Sequence, residues 1–125
     1  MMGLKDFDRL VDLISRLRKE CPWDREQTIE SMVRDITEEY NELLEAIGKG
    51  NYENIKEEIG DLMWSLLLTT EIAEGDVLFS LGDVLRETAD KIVRRHPHVF
   101  GDKNAETAEE ARRLFYEAKR KERET

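Results

Sequence analysis

The chain has 125 residues, a length that predicts a single domain over residues 1–125. Its net charge of -9, from 29 acidic against 20 basic residues, argues against a nucleic-acid backbone as the main partner. Hydrophobic and charged residues are 39% each, and the apolar ones are periodic, which argues against disorder.

The start, "MMGLKDFDRL", has no basic segment followed by an apolar one, so no secretory signal is expected there. Leu4, Phe7, Leu10, Val11, Ile14 and Leu17 recur at helical spacing and predict a first helix. It should stop before "CPWD", because Pro22 drives Cys21 to extended geometry. Cys21 is the only cysteine, which leaves no internal disulfide and fits a reducing, cytoplasmic setting. A second helix is expected from about Thr28 to Ile47, with Gly48 or Gly50 as its stop.

A third helix is expected from near Asn51 to about Ala73. Its middle, "IGDLMWSLLLTT", is apolar nearly all round, the pattern of a buried helix, yet too short to span a bilayer. "SLGD" at Ser80 to Asp83 predicts the start of a fourth helix, with Val84, Leu85, Ile92 and Val93 in the core and Pro97 as its end. "HPHVFGDKN" reads as a loop, and "TAEE" at Thr107 to Glu110 as the capping box of a charged last helix. No alternating strand pattern appears. The expected fold is all-α, a bundle of about five helices. The third helix has too few neighbours in one chain to cover it, which predicts an oligomer.

The chemistry is expected on the second and third helices. Glu39 and Glu42 are three residues apart, as are Glu58 and Asp61, so each pair projects from one side of its helix. Glu39 falls at the border of the apolar stripe, and Asp61 sits among Leu62, Ser65, Leu68 and Ile72. Isolated buried carboxylates cost several kcal/mol, and two facing pairs also repel. A hard divalent cation removes both penalties, and Mg²⁺ prefers oxygen ligands. The alternative is a solvated acidic face, which the 29 acidic residues make common. A di-iron bundle is disfavoured, because no Glu lies three residues before His96 or His98.

"CPWDREQT", "EEYNE", "EEIGDL" and "DKIVRRHPHVFGD" together resemble the MazG family of nucleoside triphosphate pyrophosphohydrolases. The blocks occur in the family's order, from about Leu4 to Asp102, although many MazG proteins carry two such domains in tandem. The resemblance implies a helical homodimer or homotetramer that uses Mg²⁺, with Mn²⁺ as a substitute. The implied reaction converts a nucleoside triphosphate to monophosphate and pyrophosphate. Carried over by position, the metal ligands are Glu39, Glu42, Glu58 and Asp61. Separately, the neighbouring carboxylate of Glu38 is a candidate to accept the proton of the attacking water. Lys91 and Arg95, helped by Arg94, fall where the family places phosphate-binding cations.

Other side chains carry two readings. Trp23 either caps the helix entrance or stacks on the base, with Gln27 bonding base or sugar. Trp64 reads as core or subunit interface. His96 and His98 lack a third metal ligand and read as loop structure, and Cys21 as structural. The competing functions are a narrower dUTP- or dCTP-directed pyrophosphatase and a non-catalytic helical interaction module.

Overall fold

The computed structural model describes residues 3–124. These form seven helices and no strand: α1 (Leu4–Glu20), α2 (Pro22–Glu26), α3 (Met32–Lys49), α4 (Tyr52–Gly75), α5 (Leu81–Arg94), α6 (Pro97–Phe100) and α7 (Ala108–Glu124). The expected count of about five is corrected by α2 and α6. Each opens on a proline at its first turn, where the missing N–H costs nothing and the fixed φ suits a helix. Pro22 and Pro97 therefore start short helices inside segments expected to be loops.

The chain divides into two compact units, one ending at Leu81 and the other beginning at Gly82. In the first, α3 and α4 pack along each other, and α1 packs on α4 and α2. The core is Ile14, Met32, Leu68 and Ile72, with Leu10, Ile29, Ile36 and Leu67 against it. It joins α1, α3 and α4, so the two helices carrying the acid pairs share one hydrophobic seam.

The α3–α4 turn fixes how those helices face. Gly50 adopts φ 66°, a left-handed conformation that suits glycine. Its N–H bonds Ile47 O at 3.1 Å and the Asn51 N–H bonds Ala46 O at 3.3 Å, closing α3 with a Schellman motif. Asn51 Oδ1 then accepts from the Asn54 N–H at 3.2 Å and caps α4. One helix thus ends and the next begins with no slack between them.

α3 starts at Met32, four residues after the expected Thr28. Thr28 and Ser31 account for the delay: the Ser31 N–H bonds Thr28 Oγ1 and the Thr28 N–H bonds Ser31 Oγ. These side chains hold a turn that competes with the helix.

α4 is not buried all round within the chain. Ser65, Leu68, Ile72 and Ala73 are buried, but Ile59, Met63, Trp64 and Leu66 on its remaining surface are exposed. Among the described residues, α4 packs on α1 and α3.

In the second unit, α6 packs on α7. Leu85, Ile92 and Val93 of α5 are about half exposed, so the core role expected for them is not met within this chain. Thr107 Oγ1 accepts from the Glu110 N–H at 3.1 Å, capping α7 as the sequence predicts. The Glu110 carboxylate reaches back to the Glu106 N–H at 2.9 Å, one residue before the partner a capping box uses.

Candidate metal and substrate site

The seam between α3 and α4 brings Glu39, Glu42, Glu58 and Asp61 together. One carboxylate oxygen from each lies within 4.8 Å of those of the other three. The i, i+3 spacing aims each pair off one helix side, and the turn at Gly50 makes the sides face. Glu39, Glu58 and Asp61 are half-buried and Glu42 is exposed.

Crowding perturbs this group. Burial, then the charges of Glu42, Asp61 and Glu58, push the Glu39 carboxyl from the ordinary 4.5 up to about 7. Glu58 is also raised, by desolvation first and then by its hydrogen bond and repulsion with Glu42. Glu39 Oε2 and Glu58 Oε2 are buried and have no hydrogen-bond partner among the described residues. Four converging carboxylates with two orphaned oxygens are the donor set of a hard divalent cation, and these residues fit one. Glu38 stands apart, exposed and 3.6 Å from Arg34.

A cleft of about 270 Å³ adjoins the cluster, with Glu39 and Asp61 in its lining. Trp23, Asp24, Asp35, Trp64 and Ser65 complete the polar and aromatic wall. Trp64, expected in the core or an interface, lines this cleft and is 45% exposed in the chain. Trp23 is also exposed.

A local hydrogen-bond network positions the Trp23 turn. Arg18 on α1 donates through Nη1 to the main-chain oxygens of Asp24 and Gln27. Gln27 Nε2 donates to Trp23 O at 3.1 Å, and Ser31 Oγ donates to Gln27 Oε1 at 2.7 Å. Both ends of the Gln27 amide are therefore engaged within the turn.

Two residues of this wall escaped the sequence reading. Asp35 precedes Glu39 by one helical turn, a spacing that could have flagged it. Asp24 follows Trp23 directly, but a lone carboxylate in a short segment has no periodic partner to mark it.

The candidate phosphate-binding cations lie in the second unit. Arg95 donates through Nε and Nη2 to Glu122 Oε2 at 3.2 and 2.9 Å, and Arg94 Nε reaches Oε1 at 3.0 Å. These bonds, Arg95's first, hold the Glu122 carboxyl below its ordinary range. The Arg95 guanidinium also lies over the Phe115 ring, 5.6 Å from its centre. Lys91 is exposed and makes no ion pair among the described residues. His96 Nδ1 lies 2.6 Å from Ile92 O, and the His96 ring packs on Phe115 and His98, in keeping with a structural role.

Comparison with known proteins bears on the family and the fold. The MazG nucleotide pyrophosphohydrolase domain matches residues 27–100. A nucleoside triphosphate pyrophosphohydrolase of Escherichia coli is 34% identical over 123 residues, covering 96% of this chain and 47% of that protein. A nucleoside triphosphate pyrophosphohydrolase/pyrophosphatase MazG of Thermotoga maritima is 43% identical over 98 residues, covering 77% of this chain and 38% of that protein. The chain thus spans about half the length of such relatives, or less. The crystal structure of a MazG-related protein from Thermotoga maritima superimposes with a TM-score of 0.79 at 32% identity, covering 90% of this chain and 98% of that one.

Proposed function

The chain belongs to the MazG nucleotide pyrophosphohydrolase family, and from that premise we propose that it hydrolyses a nucleoside triphosphate to monophosphate and pyrophosphate, with Mg²⁺ held by Glu39, Glu42, Glu58 and Asp61. The observation that carries this reading is the convergence of four ligand oxygens within 4.8 Å beside an aromatic-walled cleft. A divalent ion bound there supplies positive charge to a polyanionic substrate and activates water.

The remaining roles belong to the chain's own side chains. Trp23 and Trp64 offer aromatic faces for a base. Gln27 acts through the turn it ties rather than on the base itself. By their positional match to the family, Lys91 and Arg95, with Arg94, are the candidate side chains for the β and γ phosphates and the leaving pyrophosphate. Glu38, adjacent to Glu39 in sequence though its carboxylate lies outside the cluster near Arg34, is the candidate to take the proton of the attacking water. The protein works as a homo-oligomer in this reading, because that assembly would cover Ile59, Met63 and Leu66 of α4 and the exposed apolar side of α5. The lone cysteine suits a reducing cytoplasm. No helix among the described residues is long and apolar enough to cross a membrane.

The test is a panel of ribo- and deoxyribonucleoside triphosphates, with and without Mg²⁺, in ¹⁸O-labelled water. Monophosphate and pyrophosphate should form only with the metal, with the label in the monophosphate. Orthophosphate as first product, or label in pyrophosphate, sinks the assignment. Turnover of dUTP or dCTP alone selects the narrower pyrophosphatase, and no turnover at all the interaction module.

A further inference from the structure

Asp24 is 4% exposed and therefore among the most buried polar residues described. Its Oδ1 has no hydrogen-bond partner among the described residues. Burying an unpartnered carboxylate is costly, and folded proteins seldom leave one so without a use. The nearby Arg18 does not relieve it, since its Nη1 bonds the main-chain oxygen of Asp24 rather than the carboxylate. Nor does Asp24 belong to the four-acid cluster. It lines the cleft between that cluster and Trp23, with Trp64 and Asp35 in the same wall.

We propose that Asp24 is a base-recognition residue, whose buried carboxylate accepts a hydrogen bond from the amino group of a nucleobase held against Trp23 and Trp64. This rests on the nucleotide reading of the site and adds a preference to it. An ionised carboxylate only accepts hydrogen bonds. Asp35 adds a second acceptor, and no Lys, Arg or His lines the cleft among the described residues. Such a wall suits bases that present an amino donor, as cytosine does at C4 and adenine at C6. Uracil and hypoxanthine present a carbonyl oxygen at those positions, and two acceptors would then face each other. A site built around a hydrogen bond rejects the isostere that lacks it far more strongly than an apolar pocket can.

The matched pairs CTP against UTP, and ATP against ITP, isolate that one group. The wild-type protein should favour the amino member of each pair by at least about tenfold in kcat/KM. Asp24→Asn keeps the shape but can turn an amide N–H₂ toward a carbonyl, so it should cut both ratios to about threefold or less. Binding is read separately from the quenching of tryptophan fluorescence by CMP, UMP, AMP and IMP, which carry no phosphoanhydride to cleave. Amino-selective monophosphate binding without triphosphate hydrolysis would overturn the catalytic reading and uphold the role of Asp24. Equal kcat/KM within both wild-type pairs overturns the proposal with no variant needed. Ratios left unchanged in a folded Asp24→Asn protein, checked by its Tm, overturn it equally.

Discussion

Replacing Glu39 with glutamine should stabilise the metal-free protein at pH 8 and change little at pH 5. The Glu39 carboxyl titrates near 4.5 when unfolded and about 7 when folded. Between those values the folded state binds more protons than the unfolded state, so its contribution to stability is present below about 4.5 and lost as pH rises through about 7. The full gap corresponds to about 3 kcal/mol. Solvent at the open side of the cluster screens part of it, leaving about 1–2 kcal/mol. At about 4 °C per kcal/mol for a chain this size, Tm of Glu39→Gln minus Tm of wild type should be larger at pH 8 than at pH 5 by about 4–8 °C. The assay is thermal unfolding in chelator at both pH values, then with Mg²⁺ added. Mg²⁺ should raise the wild-type Tm at pH 8 and do much less for the variant, because it discharges the same repulsion. A Tm difference that is equal at the two pH values would refute the crowding argument.

Three further outcomes are expected. Asp61→Asn should abolish turnover and remove most of the Mg²⁺-dependent rise in Tm; near wild-type turnover would remove Asp61 from the ligand set. Lys91→Ala and Arg95→Ala should each lower kcat/KM by at least about tenfold, and up to about 10²–10³ if the contact forms only in the transition state, while Arg112→Ala should change little. Arg95→Ala should also lower Tm, since it removes two hydrogen bonds to Glu122 Oε2. Met32→Ala should cost about 2–5 kcal/mol in denaturant unfolding, as Met32 is 1% exposed at the centre of the core; a loss under about 1 kcal/mol would mean the seam between α3 and α4 readily collapses.

The long helices were legible because many of their apolar side chains recur at helical spacing, and the caps at Asn51 and Thr107 punctuate them. Each acid pair was legible because i, i+3 spacing is a property of one helix, and the Gly50 turn then brings the two pairs together. The short helices at Pro22 and Pro97 were not, since four or five residues show no period and a proline reads equally as break or start. The half-exposed Leu85, Ile92 and Val93 of α5 were misjudged for a different reason, whereas the uncovered flank of α4 was expected of a helix with too few neighbours in one chain. Periodicity says which side chains avoid water, and says nothing of which chain covers them. Asp24 was invisible because burial of a single carboxylate is a property of the folded neighbourhood.

The Gly50 turn has a consequence for how this sequence can change length. Glu39 and Asp61 are each eleven residues from Gly50, and Glu42 and Glu58 are each eight, so the acids mirror one another about the turn. One residue added between Gly50 and Tyr52 would ask α4 to slide by about 1.5 Å and turn by about 100° relative to α3. Surface turns ordinarily absorb such insertions. Here the two hydrogen bonds that close α3 and the cap that opens α4 leave no residue free to take up the change. The hairpin is in effect a ruler, and its shortest loop is the place where the reading frame of the four-acid cluster is kept.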